Sequence, residues 1–359
     1  MRNDRVTVSN PKKGVIVTHF AVEEYGSDIE DAYRRLFPQR DADRMIENLR
    51  WRFLDNPHGK GFFSTAREDG TIIGMIALIA CEFEGDTERV RTLQAIDTIV
   101  DPEHRGKFLF MRMGKAIYES ELLVGYDLVW GFPNDQAARG WFGRLGWSNF
   151  GTVPFAIKPL RSGFFARRIS AKLKFVDLRL VGRSQSAKIR VETVETFAAD
   201  ADHMLAAYNQ EIGFGRTRDR TWLNWRVHGN PEANYRVSIL RNDQGAPEAA
   251  VVSMIADKHG ARIWYLMEAI ATSADAHAMR DLLVHESRIA ADHGAEIALA
   301  WCPQTAPTWP ILRRAGFRFF PDRFRPITIY FGGRSLQSEH TELPPAKEWF
   351  LSYLDSDTV

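Results

Sequence analysis

The chain of 359 residues carries 47 Lys and Arg against 46 Asp and Glu, a formal net charge of +1, with 45% apolar residues. This balance argues against a disordered polar chain and a strongly basic nucleic-acid binder, and no apolar run approaches the ~18–20 residues that span a bilayer. Cys81 and Cys302 are too few for a disulfide framework or a zinc site and read as buried thiols in strand-like contexts. No signal-peptide pattern opens Met1-Arg-Asn-Asp, so the expectation is a cytoplasmic protein with no metal and no nucleic-acid partner.

Taken in chain order, Leu49-Arg-Trp-Arg-Phe-Leu-Asp-Asn-Pro57 reads as a helix end and a turn, with Trp51 as a core anchor. His58 follows in the turn, where a lone histidine is ordinarily a surface residue. Glu82 and Glu84 close the next strand and read as caps of a solvated loop. Leu93-Gln-Ala-Ile-Asp-Thr-Ile-Val100 is an apolar strand stopped by Asp101-Pro102.

The loop Glu103-His-Arg-Gly-Lys107 then leads into a helix with apolar residues at Leu109, Met113 and Ile117. Orphan backbone N–H groups and the helix dipole at such a start favour an anion, and Arg105 and Lys107 add charge. His104 reads as a loop residue. A second strand, Tyr126-Asp-Leu-Val-Trp-Gly131, is followed by Phe132-Pro-Asn134 and by a helix from Asp135 to Arg144 that stops at Gly146-Trp147.

This order of strand, basic glycine loop, helix, strand and helix resembles the GNAT superfamily of acyl-CoA-dependent acyltransferases over residues about 15–160. The resemblance implies α/β architecture, with a mixed, mostly antiparallel central sheet flanked by helices. It also implies acetyl-CoA or another acyl-CoA as co-substrate. In the family the loop reads Arg-Gly-x-Gly-x-Gly/Ala; Arg105, Gly106 and Lys107 match, Phe108 and Phe110 replace small residues, and Leu109 lies between them. A ring at Phe108 is expected to crowd a diphosphate. Ile99 and Val100 are implied as backbone partners of the pantetheine, and Asn134 as a polar contact to the pantetheine or diphosphate arm. Trp141 and Phe142 fall where many members place the tyrosine that protonates the departing thiolate.

A weak internal repeat organises the rest. Leu49-Arg-Trp-Arg-Phe…Asn-Pro57 returns as Leu223-Asn-Trp-Arg-Val…Asn-Pro231, and Arg144-Leu-Gly-Trp147 as Arg314-Ala-Gly-Phe317; Trp225 follows Trp51 by 174 residues and Gly316 follows Gly146 by 170. Two GNAT-like domains in tandem are therefore expected: 10–160 with the acyl-CoA loop, a basic linker 161–187, a degenerate domain 188–335, and a tail 336–359. Trp225, like Trp51, is read as a core anchor. Where the second copy needs its anion loop it has Ala271-Thr-Ser-Ala-Asp-Ala-His277. The tail Trp349-Phe-Leu-Ser-Tyr-Leu-Asp-Ser-Asp357 is expected to dock on a domain or to close the acceptor cleft.

Lys158 to Arg190 contains ten Lys or Arg and one acid, Asp177, with Phe164, Phe165, Ile169, Leu173 and Phe175 interleaved. Two readings stand: a solvated linker, and an interfacial segment for anionic lipid or a nucleotide-diphosphate substrate.

For chemistry, Asp97 is the best-placed carboxylate, mid-strand and just before the loop, and is read as a general base. The alternatives are a satisfied buried acid or a partner for Arg91 or Arg105, and the repeat puts Glu268 171 residues later in a half without a donor loop. His58 is the second catalytic candidate, because its turn borders the acceptor pocket in the resembled fold. The function these features imply is N-acylation of a small amine, of the amino-sugar type that bacterial surface-polysaccharide acyltransferases use, including nucleotide-linked amino sugars. A pair of degenerate GNAT domains that binds without turnover, and a transferase using an aminoacyl or acyl-carrier donor, are the alternatives. The sequence leaves the oligomeric state open.

Overall fold

The computed structural model describes residues 6–10, 13–84, 89–170, 172, 175–182, 189–325, 327–337 and 343–356. Met1–Asp4, Asp357 and, in the basic stretch, Leu173, Lys174, Arg183 and Lys188 lie outside the described residues. The chain forms two compact units: one from residues before 152, apart from 84–87, together with 329–343, the other from 84–87, 152–328 and the segment from 344 onward.

The first unit is a mixed sheet in the order β1-β2-β3-β4-β5-β6-β16-β7. Its strands are β1 (Val6–Asn10), β2 (Lys13–Glu24), β3 (Phe62–Glu68), β4 (Thr71–Glu84), β5 (Arg89–Val100), β6 (Leu128–Gly131), β7 (Ser148–Thr152) and β16 (Tyr330–Ser335). Alternation along β4 sorts its side chains between two cores. Met75, Ala77 and Ile79 face α1 (Ser27–Leu36) and α2 (Ala42–Phe53), joining Tyr33, Leu49 and Phe53. Ile76, Leu78 and Ala80 face α3 (Leu109–Glu119) and α4 (Asp135–Arg144), joining Met113, Ile117, Trp141 and Trp147. Trp51 is buried, as an anchor should be.

The second unit is a sheet in the order β15-β8-β14-β13-β12-β11-β9. Its members are β8 (Phe155–Pro159), β9 (Arg190–Val194), β11 (Arg236–Arg241), β12 (Pro247–Lys258), β13 (Ala261–Ile270), β14 (Ile297–Trp301) and β15 (Arg318–Phe319). The two-residue strand β10 (Gly215–Arg216), the helices α5 (Gly163–Ile169), α6 (Asp202–Glu211), α7 (Arg220–Leu223), α8 (Ala276–Asp292) and α9 (Trp309–Arg314), and the tail complete it. Its fully buried indole on the repeated helix is Trp222; Trp225, expected as the anchor, is only half-buried.

The two sheets follow one scheme, with a departure from a sequential tandem division at 160 and 188. In the first unit a late strand, β16, lies between β6 and β7; in the second an early strand, β8, lies between β14 and β15. Each half thus gives its last strand to the other's sheet. Both cysteines are buried, and burial raises the Cys302 thiol to about 12. No helix among the described residues is long and apolar enough to cross a membrane.

Candidate acyl-donor site

The parallel pairing of β5 and β6 runs from Thr92 opposite Leu128 to Ala95 opposite Gly131, and there β6 ends while β5 continues to Val100. Just past the last pair, Asp97 takes a left-handed backbone, φ 41°. A non-glycine residue there marks a local break in the ladder. The strands fork, leaving Thr98–Val100 without a β6 neighbour.

A cavity of about 500 Å³ occupies this fork. Its walls are Thr98–Val100, the loop residues His104, Arg105 and Gly106, the first turn of α3 from Phe108 to Met111, and Asn134, Gln136, Ala137, Arg139, Gly140 and Arg144 from the α4 side. Eight of the sequence candidates meet here: Ile99, Val100, Arg105, Gly106, Phe108, Leu109, Phe110 and Asn134. Lys107 is exposed and Phe142 half-buried, and neither is part of the wall.

The chemistry of the wall is cationic. Arg105, Arg139 and Arg144 contribute three guanidinium groups, and no acidic side chain is among these lining residues. Arg139 and Arg144, five residues apart on α4, are wall residues that the sequence motifs do not single out. Phe108 caps α3 without offering a side-chain oxygen to the first-turn amides. Leu109, Phe110 and Met111 all line the cavity, so the orphan N–H groups of that turn need an outside acceptor.

Both phenylalanines line the cavity. Gly106 and Phe108 both have left-handed φ, 81° and 58°, a region that favours glycine, and the Phe108 ring is 66% exposed. Phe110 packs edge-on against Trp141, with ring centres 5.1 Å apart, and lies directly over Gly140, where a Cβ would come within 2.1 Å of the ring. Bulk at one small-residue position is thus matched by the absence of a side chain at another.

Asn134 accepts from the N–H groups of Gln136 and Ala137 at 3.1 and 3.0 Å, which makes it the cap of α4 as well as part of the wall. His104 bonds Glu68 through Nε2 at 3.0 Å. Asp101 accepts from the Glu103 N–H, which lowers its pKa, and it also pairs with Arg35 at 2.9 Å. These contacts fix the loop that follows β5.

Asp97 accepts from the Tyr33 hydroxyl at 2.9 Å and pairs with Arg52 at 3.3 Å, not with Arg91 or Arg105. Both contacts engage Oδ2, and Oδ1 accepts no hydrogen bond from the described residues. Burial, then the Asp97 charge, pushes the Tyr33 phenol well above its ordinary value, so it remains a donor.

His58 is not brought to the cavity. Its Nδ1 accepts from the Glu82 N–H at 3.1 Å, whereas Asp101 bonds Ile73. Ile73 and Glu82 are nine residues apart on β4, about 30 Å in an extended strand. Glu82 pairs with Arg89 and stands at that same far end.

The second unit shows how the matching loop is closed. Beyond β13, Glu211 accepts from the Ser273 N–H at 2.7 Å and from its hydroxyl at 3.1 Å, placing the chain's own carboxylate ahead of α8. The tail docks on this unit: Tyr353 stacks on Trp301 at 4.8 Å and Asp355 holds Arg218 at 2.6 Å.

Residues 21–150 match the family model described as an acetyltransferase (GNAT) domain. No curated protein matches the sequence. Among solved structures, a probable N-acyltransferase from Enterococcus faecalis aligns with a TM-score of 0.57 at 13% identity, over 89% of this chain and 73% of the other. A GCN5-related N-acetyltransferase from Anabaena variabilis gives 0.58 at 12%, over 89% and 73%. Saccharomyces cerevisiae N-myristoyltransferase with bound myristoyl-CoA gives 0.57 at 11%, over 92% and 85%. At these identities the likeness is one of fold. Domain match and fold together support an N-acyltransferase with an acyl-CoA co-substrate, and the wall of the cavity fits a diphosphate.

Proposed function

We propose that the chain transfers an acyl group from acyl-CoA to the amine of a small acceptor, with the first unit alone holding the donor. The observation that carries this reading is the cationic cavity at the fork of β5 and β6, walled by a helix start with no cap oxygen of its own. In it, the first-turn amides of α3 with Arg105, Arg139 and Arg144 hold the diphosphate. Ile99 and Val100, beyond the last β6 partner, offer backbone groups to the pantetheine as an added strand would, and one N–H polarises the thioester oxygen.

The amine nitrogen bonds to the carbonyl carbon as the carbon–sulfur bond breaks. The amine proton passes through water to Oδ1 of Asp97, and the thiolate takes a proton from solvent. No tyrosine is among the lining residues to supply it. Tyr33 and Arg52 hold the other oxygen of Asp97 and orient the carboxylate. His58 has no part in this reading.

The acceptor class rests on the sequence resemblance to amino-sugar N-acyltransferases, and the cytoplasm is the setting that acyl-CoA supply implies. Calorimetry with CoA and acetyl-CoA, followed by thiol release with free and nucleotide-linked amino sugars, tests the proposal. Saturable CoA binding with amine-dependent thiol release is expected. CoA binding without release from any amine would leave a binding protein, and absence of CoA binding would remove the donor assignment.

A further inference from the structure

Residues 160–170 and 175–182 belong to an excursion from the second unit. The outgoing limb leads into α5, and the return limb pairs back on it: Ser162 N–H donates to Leu178 at 2.8 Å, Leu178 N–H to the Ser162 hydroxyl at 2.8 Å, and Leu180 N–H to Leu160 at 2.9 Å. These bonds put Leu178 and Leu180 beside the limb that enters α5.

The excursion is apolar where it meets water. Ile169 is 79% exposed, Phe175 84%, Leu178 66% and Leu180 54%. With Val176, five of the eleven exposed large apolar side chains among the described residues fall within this short span. Scattered apolar residues are normal on a surface, whereas a cluster is costly unless something covers it. Leu178 and Leu180, two apart on an extended limb, point the same way.

Its charge is equally one-sided. Arg161 pairs with Asp177 at 2.7 Å, Arg167 with Glu296 at 2.7 Å, and Arg179 with Asp292, so the only acid of the segment is already engaged. Arg168, stacked over Phe164 at 4.6 Å, and Lys172 are exposed beside the apolar cluster.

We propose that this excursion docks the protein on an anionic phospholipid surface, with Ile169, Phe175, Leu178 and Leu180 entering the headgroup boundary while Arg168 and Lys172 meet lipid phosphates. Exposed apolar groups flanked by surplus cations are the interfacial signature. Nucleic acid would use the cations and leave the aliphatic side chains uncovered. The inference is independent of the acyltransferase reading, because its test reads partition, not turnover.

The full chain is sedimented with vesicles of phosphatidylcholine alone and of phosphatidylcholine containing phosphatidylglycerol. Salt-sensitive partition onto the anionic vesicles only is expected. Phe175→Ser with Leu178→Ser should weaken it roughly tenfold, and Arg168→Ala with Lys172→Ala roughly twentyfold, with melting unchanged because all four side chains are exposed. Failure to partition, or partition insensitive to both pairs, overturns the proposal. So does tighter binding to a single-stranded oligonucleotide that depends on the cations and ignores Phe175 and Leu178.

Discussion

The Tyr33 hydroxyl donates to Asp97 at 2.9 Å, and the repeat reproduces the pair: Tyr208 donates to Glu268 at 3.3 Å. Both carboxylates stand where the sheet ladder breaks, Asp97 at its left-handed residue and Glu268 at the register shift between β12 and β13. Their remaining surroundings differ. Glu268 is saturated: Oε1 accepts from Tyr208 and its neighbour's amide, and Oε2 from Arg218 and Ser352. Asp97 keeps one oxygen unengaged by the described residues. The shared tyrosine contact is therefore architectural, and of the two acids only Asp97 keeps an oxygen that no described residue engages.

Asp97→Asn is accordingly expected to lower kcat/KM for an amine acceptor by roughly 10²–10⁴ while CoA affinity stays near normal. Glu268→Gln should instead destabilise, by about 3–5 kcal/mol, since it strips a partner from the fully buried Arg218, and leave kcat near wild type in the folded fraction. Steady-state kinetics beside thermal melting separate the two. Equal losses of melting temperature with no selective loss of turnover would make both acids structural.

The three cavity arginines should act additively on the donor. Each of Arg105→Ala, Arg139→Ala and Arg144→Ala is expected to weaken CoA binding roughly five- to tenfold and to flatten its salt dependence, because exposed cations meet the phosphates through screened charge. Calorimetry at two ionic strengths reads this. Lys107→Ala, outside the wall, should change affinity less than any of them.

Much of this site is legible in the sequence because its signals are local. Ile99-Val100, Arg105-Gly106 and the start of α3 lie within one short stretch, and anion binding by a helix start is a property of adjacent residues. Asn134 and the second helix follow from the same order of elements. What escaped depends on distance along the chain. The partner of Asp97 is Arg52, and nothing local distinguishes it from Arg91 or Arg105. Gly140 cannot be seen to admit Phe110 until the two helices are packed. The exchange of β8 and β16 is set by pairing between segments far apart in sequence. His58 misled because its turn follows a helix that does border the Asp97 side, while the turn itself runs to the opposite end of β4.

Phe108 holds φ 58°, a region that favours glycine, with its ring largely in solvent. Phe108→Gly relieves that backbone cost of about 1 kcal/mol and adds freedom to the unfolded chain of similar size. Melting temperature should change little, and CoA affinity should hold or improve. A loss of affinity beyond about tenfold would show that the ring covers the donor.

Lys158 is buried, with Nζ donating to Ser287 at 2.8 Å, and burial followed by the Arg288 charge lowers its pKa from 10.5 to about 8. Below pH 8 both folded and unfolded chains carry the proton, and the folded state bears the full cost of the buried charge. Between pH 8 and 10.5 the unfolded chain holds more protons, so this residue makes stability rise with pH, by up to about 3 kcal/mol. Lys158→Met should remove the rise and gain stability near neutrality. Denaturant unfolding of both proteins at pH 7.5 and 9.5 checks the sign; parallel responses would refute it.

The packing of Phe110 against Gly140 gives the sharpest test of how the rebuilt loop works. A Cβ at residue 140 would meet the Phe110 ring at 2.1 Å, far inside contact distance, with the ring already braced on Trp141. Gly140→Ala must therefore push Phe110, and with it the first turn of α3, out of place. The expected cost is about 1–3 kcal/mol of stability from overpacking, together with a loss of CoA affinity, because the displaced turn carries the amides assigned to the diphosphate. Phe110→Ala alone leaves a cavity and should lower stability while moving the amides little. Combined, the two substitutions should recover much of the CoA affinity lost in Gly140→Ala, a coupling that only contacting residues show. Calorimetric titration of the wild type, both single variants and the double variant completes the cycle. Additive effects on affinity would mean that Gly140 and Phe110 act on the donor site separately, and the account of how a phenylalanine replaces a small loop residue would fall.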